Sequence, residues 1–315
     1  MRERSTTGWP LQLTPRRLLI VAGKGGVGRS TVAAAVAVAA ARSGARVIVA
    51  ETAGRADVPP MFGHRAGEPL VETELLPDLH HITIDRQVAL EEYLRLEAPG
   101  PVPAAVLGRS RAFGLFVEAA PGMSDLLTIG KVWELAQQPR HRRNALAYDL
   151  VVLDAPASGQ LVGLLAAPRT FSQIARVGPV ARQASRIAGA LSDPSTVGVI
   201  SVATPEQMAV TEAIALQRAL SDEFGIELEA LVVNRLFPRR FTAKDERALA
   251  AAADDPAVRS ARWFYGRAQA QHAQLQRLRD ELPGLSCTTL PFVFQAALDF
   301  ADIERLADLL TGAGV

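Results

Sequence analysis

Gly23, Lys24, Gly25, Gly26, Val27, Gly28, Arg29, Ser30 and Thr31 stand together between the apolar run 18–22 and a long Ala/Val stretch. Glycines remove side chains, so consecutive backbone N–H groups can close on phosphate oxygens. A helix starting here adds the partial positive charge of its N-terminus. The spacing follows Gly-x-x-x-x-Gly-Lys-Ser/Thr, except that Arg29 stands where lysine belongs. Ser30 is placed to bind Mg2+ directly. Asp154, at the end of another apolar run, can hold the same ion through water. The chemistry indicated is nucleotide binding and phosphoryl transfer.

These groups stand in a chain of 315 residues with net charge +1. So even a balance gives no overall electrostatic reason to seek nucleic acid or a membrane surface. Of its 34 basic residues only Lys24, Lys131 and Lys244 are lysine, which makes a lysine inside the glycine loop informative. A single cysteine, Cys287, supplies neither an internal disulfide nor a Cys-x-x-Cys pair. The longest apolar run, residues 32–41, is about half of what a membrane-spanning helix needs. A soluble cytoplasmic protein without a stable membrane anchor is expected. His80-His81 lacks a spaced partner for a metal, and residues 140–143 read as a solvated basic run.

Positioning these residues requires strands that end at one edge. Runs rich in branched apolar residues recur at 18–22, 47–50, 81–84, 150–153, 197–202, 231–233 and 286–290. Between them lie stretches with helical spacing, among them 31–42, 206–223 and 261–281. Strand alternating with helix predicts an α/β fold, a doubly wound, mostly parallel sheet with ligands beyond the carboxyl ends of its strands. From about 91 to 143 no good strand is found and apolar residues recur with helical spacing, which predicts a helical subdomain inserted into the domain 14–315. Residues 1–13 read as a flexible lead-in.

The loop Gly23-Lys24-Gly25-Gly26-Val27-Gly28, with its early lysine, resembles that of the MinD, ParA and ArsA-like P-loop NTPases. Residues 148–160, Tyr-Asp-Leu-Val-Val-Leu-Asp-Ala-Pro-Ala-Ser-Gly-Gln, resemble the second switch of the ArsA and tail-anchored-protein-targeting branch. Residues 203–206, Ala-Thr-Pro-Glu, and 231–235, Leu-Val-Val-Asn-Arg, resemble its late sheet, while 118–125 look like the entry to its helical subdomain. The resemblance implies a Mg2+-dependent ATPase in which Lys24 reaches across an interface to the partner's nucleotide. Catalysis would rest on Lys24 and Asp154, and nucleotide binding on Gly23 to Thr31 with Asn234. Asn234 would recognise adenine, since an amide offers a donor and an acceptor; on residue type alone it is an ordinary strand-end turn residue. One phosphate loop per chain calls for a homodimer or a dimer with a paralogue, coupling its nucleotide state to a helical subdomain that binds a partner or cargo.

Three departures qualify that transfer. Arg29 is a wider planar fork than lysine, so tolerated drift and loss of hydrolysis both stay open. Ala53 stands where the family has a water-orienting Asp, with Glu51 and Asp57 as the nearby carboxylates. The chain has no cysteine cluster, zinc pair or Met-rich insert, so arsenite is not expected as a ligand and tail-anchor capture is not implied. The apolar residues of 104–127, among them Phe113 and Phe116, suit either a partner helix or ordinary packing. The alternative function is a weakly hydrolysing or non-hydrolysing nucleotide-binding subunit paired with an intact paralogue.

Overall fold

The computed structural model describes residues 16–52, 54–97, 122–140, 145–174, 179–253 and 255–312. The expected lead-in, Ala53, and residues 98–121 and 141–144 of the expected insertion lie outside them.

Branched apolar residues suit strands that are covered on both faces, and the strands here are of that kind. In chain order they are β1 (Leu18–Gly23), β2 (Val47–Thr52), β3 (Thr73–Leu76), β4 (Leu79–Ile84), β5 (Leu150–Asp154), β6 (Val197–Ala203), β7 (Ala230–Leu236) and β8 (Ser286–Pro291). The sheet runs β3-β4-β2-β5-β1-β6-β7-β8, parallel throughout except for β3, which pairs antiparallel with β4. Every residue of β1, β2, β4, β5 and β6 is buried. The seven expected runs all form strands. β3 was not legible, because a four-residue edge strand with Glu74 exposed carries almost no apolar pattern.

Parallel strands need crossovers, and right-handed ones that move in opposite directions place their helices on opposite faces. The chain leaves β1 toward β2 through α1 (Arg29–Arg42). It leaves β5 in the other direction, toward β6, through α4 (Ser158–Ile174) and α5 (Pro179–Leu191). Between β4 and β5 come α2 (Arg86–Glu97) and α3 (Met123–Leu135); α6 (Gln207–Phe224), α7 (Ala243–Ala251), α8 (Pro256–Glu281) and α9 (Phe300–Thr311) complete the chain. α8 begins five residues before the expected 261, because the Asp255 carboxylate accepts from the N–H groups of Ala257 and Val258 while Pro256 opens the helix. β1 and β5 are neighbours whose crossovers part, so a crevice opens at their carboxyl ends.

α1 is buried from Val32 to Ala40 because alanine and valine leave no polar face. It lies between the sheet and α9, whose Ile303, Leu306, Ala307 and Leu310 are buried. The apolar face of α9 is thus spent on α1 and is not a membrane surface. α3 packs on α2, α4 and α5, so the helical layer extends on both sides of residues 91–143. No described helix is long and apolar enough to cross a membrane.

The basic run 140–143 does not start at the surface as expected. Arg140 is buried, its guanidinium donating to Glu134 at 3.0 Å, to Glu72 at 2.8 Å and to the Leu146 carbonyl. Tyr148 Oη, two residues ahead of β5, donates to the same Glu72 at 2.7 Å. Burial pushes both carboxyls up, but the Arg140 hydrogen bonds outweigh it and hold Glu72 and Glu134 below the ordinary value of 4.5. The stabilisation they bring is therefore whole above pH 4.5 and fades as pH falls through their depressed values. Arg140→Met removes the main cationic partner of two largely buried carboxylates, leaving Glu134 with Lys131 and Glu72 with Tyr148. It is expected to cost about 2–3 kcal/mol in urea unfolding at pH 7, shrinking toward acid. An unchanged unfolding midpoint at pH 7 would contradict this account.

Candidate functional site

Strand register assembles the site. Asp154 at the end of β5 lies beside Val21 of β1 and Glu51 of β2, while Gly23 lies beside Val202 of β6 and Val233 of β7 beside Ala203. Residues far apart in sequence therefore meet at the carboxyl edge of five strands, around the loop 23–28.

The loop takes its shape from contacts only glycine permits. A Cβ at Gly23 would lie 2.2 Å from the Val202 carbonyl oxygen, and one at Gly28 (φ 92°) would lie 2.3 Å from Asn234 Nδ2. At Gly25 and Gly26 nothing lies within 4 Å of that point. Three loop carbonyls are each claimed by a side-chain donor: Gly23 by Arg29 Nη1 at 2.5 Å, Val27 by Asn234 Nδ2 at 2.9 Å, and Gly26 by Arg235 Nη1 at 3.0 Å. In a trans peptide C=O and N–H point in opposite directions, so tying the carbonyls down turns the following N–H groups the other way. That orientation, at the start of α1, suits an anion.

Asp154 is fully buried. Its Oδ2 accepts from Ser30 Oγ at 2.6 Å, with Arg55 Nη2 at 3.4 Å, and Arg29 Nε lies 3.7 Å from Oδ1. Burial raises the Asp154 carboxyl above its ordinary value against the pull of Ser30, Arg55 and Arg29. Burial also lowers Arg29. Oδ1 has no hydrogen-bond partner among the described residues. This orphaned carboxylate oxygen and the Ser30 hydroxyl are hard oxygen donors, a set that fits Mg2+, which takes few protein ligands beside phosphates and water. The described residues contain no group of three or more His, Cys, Asp or Glu that could hold a metal.

Arg29 points inward, with 8% of the side chain exposed, and braces the loop from behind. Lys24 Nζ lies 3.4 Å from Glu212 Oε2 on α6, and the other oxygen of that carboxylate accepts from Ser158 Oγ at the start of α4. One acid thus joins the loop lysine to the segment after Asp154. Glu212 was invisible to sequence reasoning, since only the packing of α6 beside the loop brings it near.

Two of the residues singled out in the sequence make their contacts within the protein. Asn234 spends its amide on the protein, Nδ2 on Val27 and Oδ1 accepting from the Arg235 N–H at 2.9 Å, so in this structure it positions the loop. Glu51 accepts from the N–H groups of Asp57 and Val58 and pairs with His81 Nε2 at 2.8 Å. Burial pushes the Glu51 carboxyl up, but these hydrogen bonds outweigh it and leave it lowered. With all its contacts inside the fold, Glu51 anchors the loop after β2. Of the two carboxylates, Asp57 is the exposed one. Beside the glycine loop a cavity of about 240 Å³ is lined by Lys24, Gly26, Arg235, Phe237 and Phe292 among others, the two phenylalanine rings meeting edge to face at 5.1 Å. Its apolar aromatic wall suits a flat ring.

The profile of the anion-transporting ATPases matches residues 16–182 and 172–312. The chain is 30% identical over 248 residues to ATPase BagA of Mycobacterium tuberculosis, covering 76% of this chain and 71% of that protein. It is 25% identical over 254 residues to the arsenical pump-driving ATPase of Escherichia coli, covering 74% of this chain and 41% of that protein. To the Streptomyces coelicolor protein SCO2128 it is 33% identical over 172 residues, 54% of this chain and 42% of that one. With the crevice, the glycine loop and a match spanning nearly the whole chain, this protein belongs to the ArsA-type anion-transporting ATPase family.

Proposed function

We propose that the chain binds ATP with Mg2+ and hydrolyses it as one half of a dimer, coupling nucleotide state to movement of the helical layer. The observation that carries this reading is the glycine loop with three carbonyls tied back, facing a buried Asp154 hydrogen-bonded to Ser30. The N–H groups of the loop and the N-terminus of α1 bind phosphates, and the Phe237–Phe292 wall takes the base. Ser30 holds the metal directly and Asp154 holds it through water. Mg2+, when bound with ATP, draws charge from the phosphate oxygens.

Coupling follows from connectivity. The segment after Asp154 leads directly into α4, and α4 packs on α3 and α5. A shift at residues 155–157 therefore reaches the helical layer, where we place the surface for a protein client. Cys287 is half-buried in β8, and burial pushes its thiol up, which opposes service as a thiolate ligand for arsenite. We infer no nucleic-acid partner from so balanced a chain.

The inward Arg29 favours a second reading, in which the chain closes on ATP and a relative supplies hydrolysis. Single-turnover hydrolysis by the purified chain separates the two. In the first reading the wild type turns over ATP; Arg29→Lys, which restores a slender charge, is expected to speed it by about tenfold, or about 1.4 kcal/mol of barrier. Tight Mg-ATP binding with no turnover above background would defeat the enzyme reading.

Lys24 is proposed to leave Glu212 and reach the partner's nucleotide. Lys24→Ala is then expected to abolish ATP-driven dimerisation in analytical ultracentrifugation while leaving the monomer folded. Dimerisation equal to wild type would contradict the crossing role.

A further inference from the structure

Arg55 follows β2 and occupies no position in the phosphate loop. We propose that it is a specificity-determining residue, the cation that reads the terminal phosphate and so separates nucleoside triphosphate from diphosphate. The inference rests on the nucleotide reading above and adds a residue to that same site.

Its backbone is pinned while its tip is lightly held. The N–H groups of Asp57 and Val58 donate to buried Glu51 at 2.8 and 3.0 Å, and the Arg55 carbonyl accepts from Thr83 Oγ1 at 3.2 Å. Behind Glu51, His81 is buried and hydrogen-bonded. The guanidinium, by contrast, makes only long contacts: Nη2 lies 3.4 Å from both Asp154 Oδ2 and the Ala155 carbonyl oxygen, and Nη1 lies 3.7 Å from Asp57. About a third of the side chain is exposed, and Arg55 shares an Asp154 oxygen with Ser30 of the glycine loop. The two contacts at 3.4 Å are weak hydrogen bonds and the one at 3.7 Å is an ion pair without one, all easily exchanged for phosphate oxygens.

The charge balance of the site calls for such a group. Arg29, in the usual lysine position, is turned inward onto the Gly23 carbonyl, and Lys24 faces Glu212. Arg55 is the remaining cation beside Asp154, on a fixed base, with a planar fork that matches phosphate. A diphosphate bound in the loop lacks the group this fork would read.

Calorimetric titration of the full chain with Mg-ATPγS and with Mg-ADP tests the assignment. Arg55→Ala is expected to weaken ATPγS binding by about tenfold or more and ADP binding by less than about twofold, as for loss of one charge-assisted hydrogen bond. Arg55→Lys should fall between, retaining charge without the fork. If the alanine variant does not fold by circular dichroism, Arg55→Gln carries the same comparison. Equal weakening of both nucleotides would mean that Arg55 only braces the loop, and unchanged affinity for both would equally overturn the inference. A wild type that binds neither nucleotide would overturn this inference together with the nucleotide reading, whereas wild-type binding with an indifferent variant removes only Arg55.

Discussion

A carboxylate with no exposure to water, Asp154, sets the terms for the rest of the site. Taking a charge out of solvent is costly unless it is paired, and no single partner here is sufficient. Ser30 gives a short hydrogen bond, Arg29 and Arg55 stand at longer range, and one oxygen is left without a partner. The arrangement is partly compensated by design of the sheet: β1, β2 and β5 deliver the loop, the Arg55 segment and Asp154 to one edge. An incompletely satisfied buried anion beside an anion-binding loop is a place where a hard cation and phosphates complement each other.

Behind that edge, polar groups do structural work that residue type alone conceals. In one dimension Glu51 looks like a carboxylate near a water, and Asn234 and Arg29 like ligands for a nucleotide. In three they face the protein, holding respectively the loop after β2, the Val27 carbonyl and the Gly23 carbonyl. The partly exposed residues around the loop are instead Lys24, Arg55 and Asp57, and the last two belong to no motif. Preorganisation is thus divided between a set that fixes backbone, which Arg235 joins through the Gly26 carbonyl, and an outer set held by longer contacts.

Legibility followed periodicity and local spacing. Seven strands were readable because buried parallel strands are continuous apolar runs, and the phosphate loop because its glycines and hydroxyls are adjacent. β3 was not, being short and at the edge, and the start of α8 was missed although Asp255-Pro256 is a local start signal. The basic run misled for a different reason. Arg140 is buried by acids 6 and 68 residues away, and such pairing leaves no trace in a window of sequence. The same holds for Glu212, which meets Lys24 and Ser158 only through the placement of α6.

The small-residue interior of α1, from Ser30 to Ala41, has a mechanical side. Its alanines and valines let it sit closely between sheet and α9, and at its far end Arg42 is gripped by Glu304 and Asp308. Close packing of this kind is stiff. Under the proposed function, a push at the phosphate loop would find little give along α1 and would pass instead to the segments after β2 and β5. In that coupling the helix would serve as an anvil, and its stiffness would decide what the nucleotide can move.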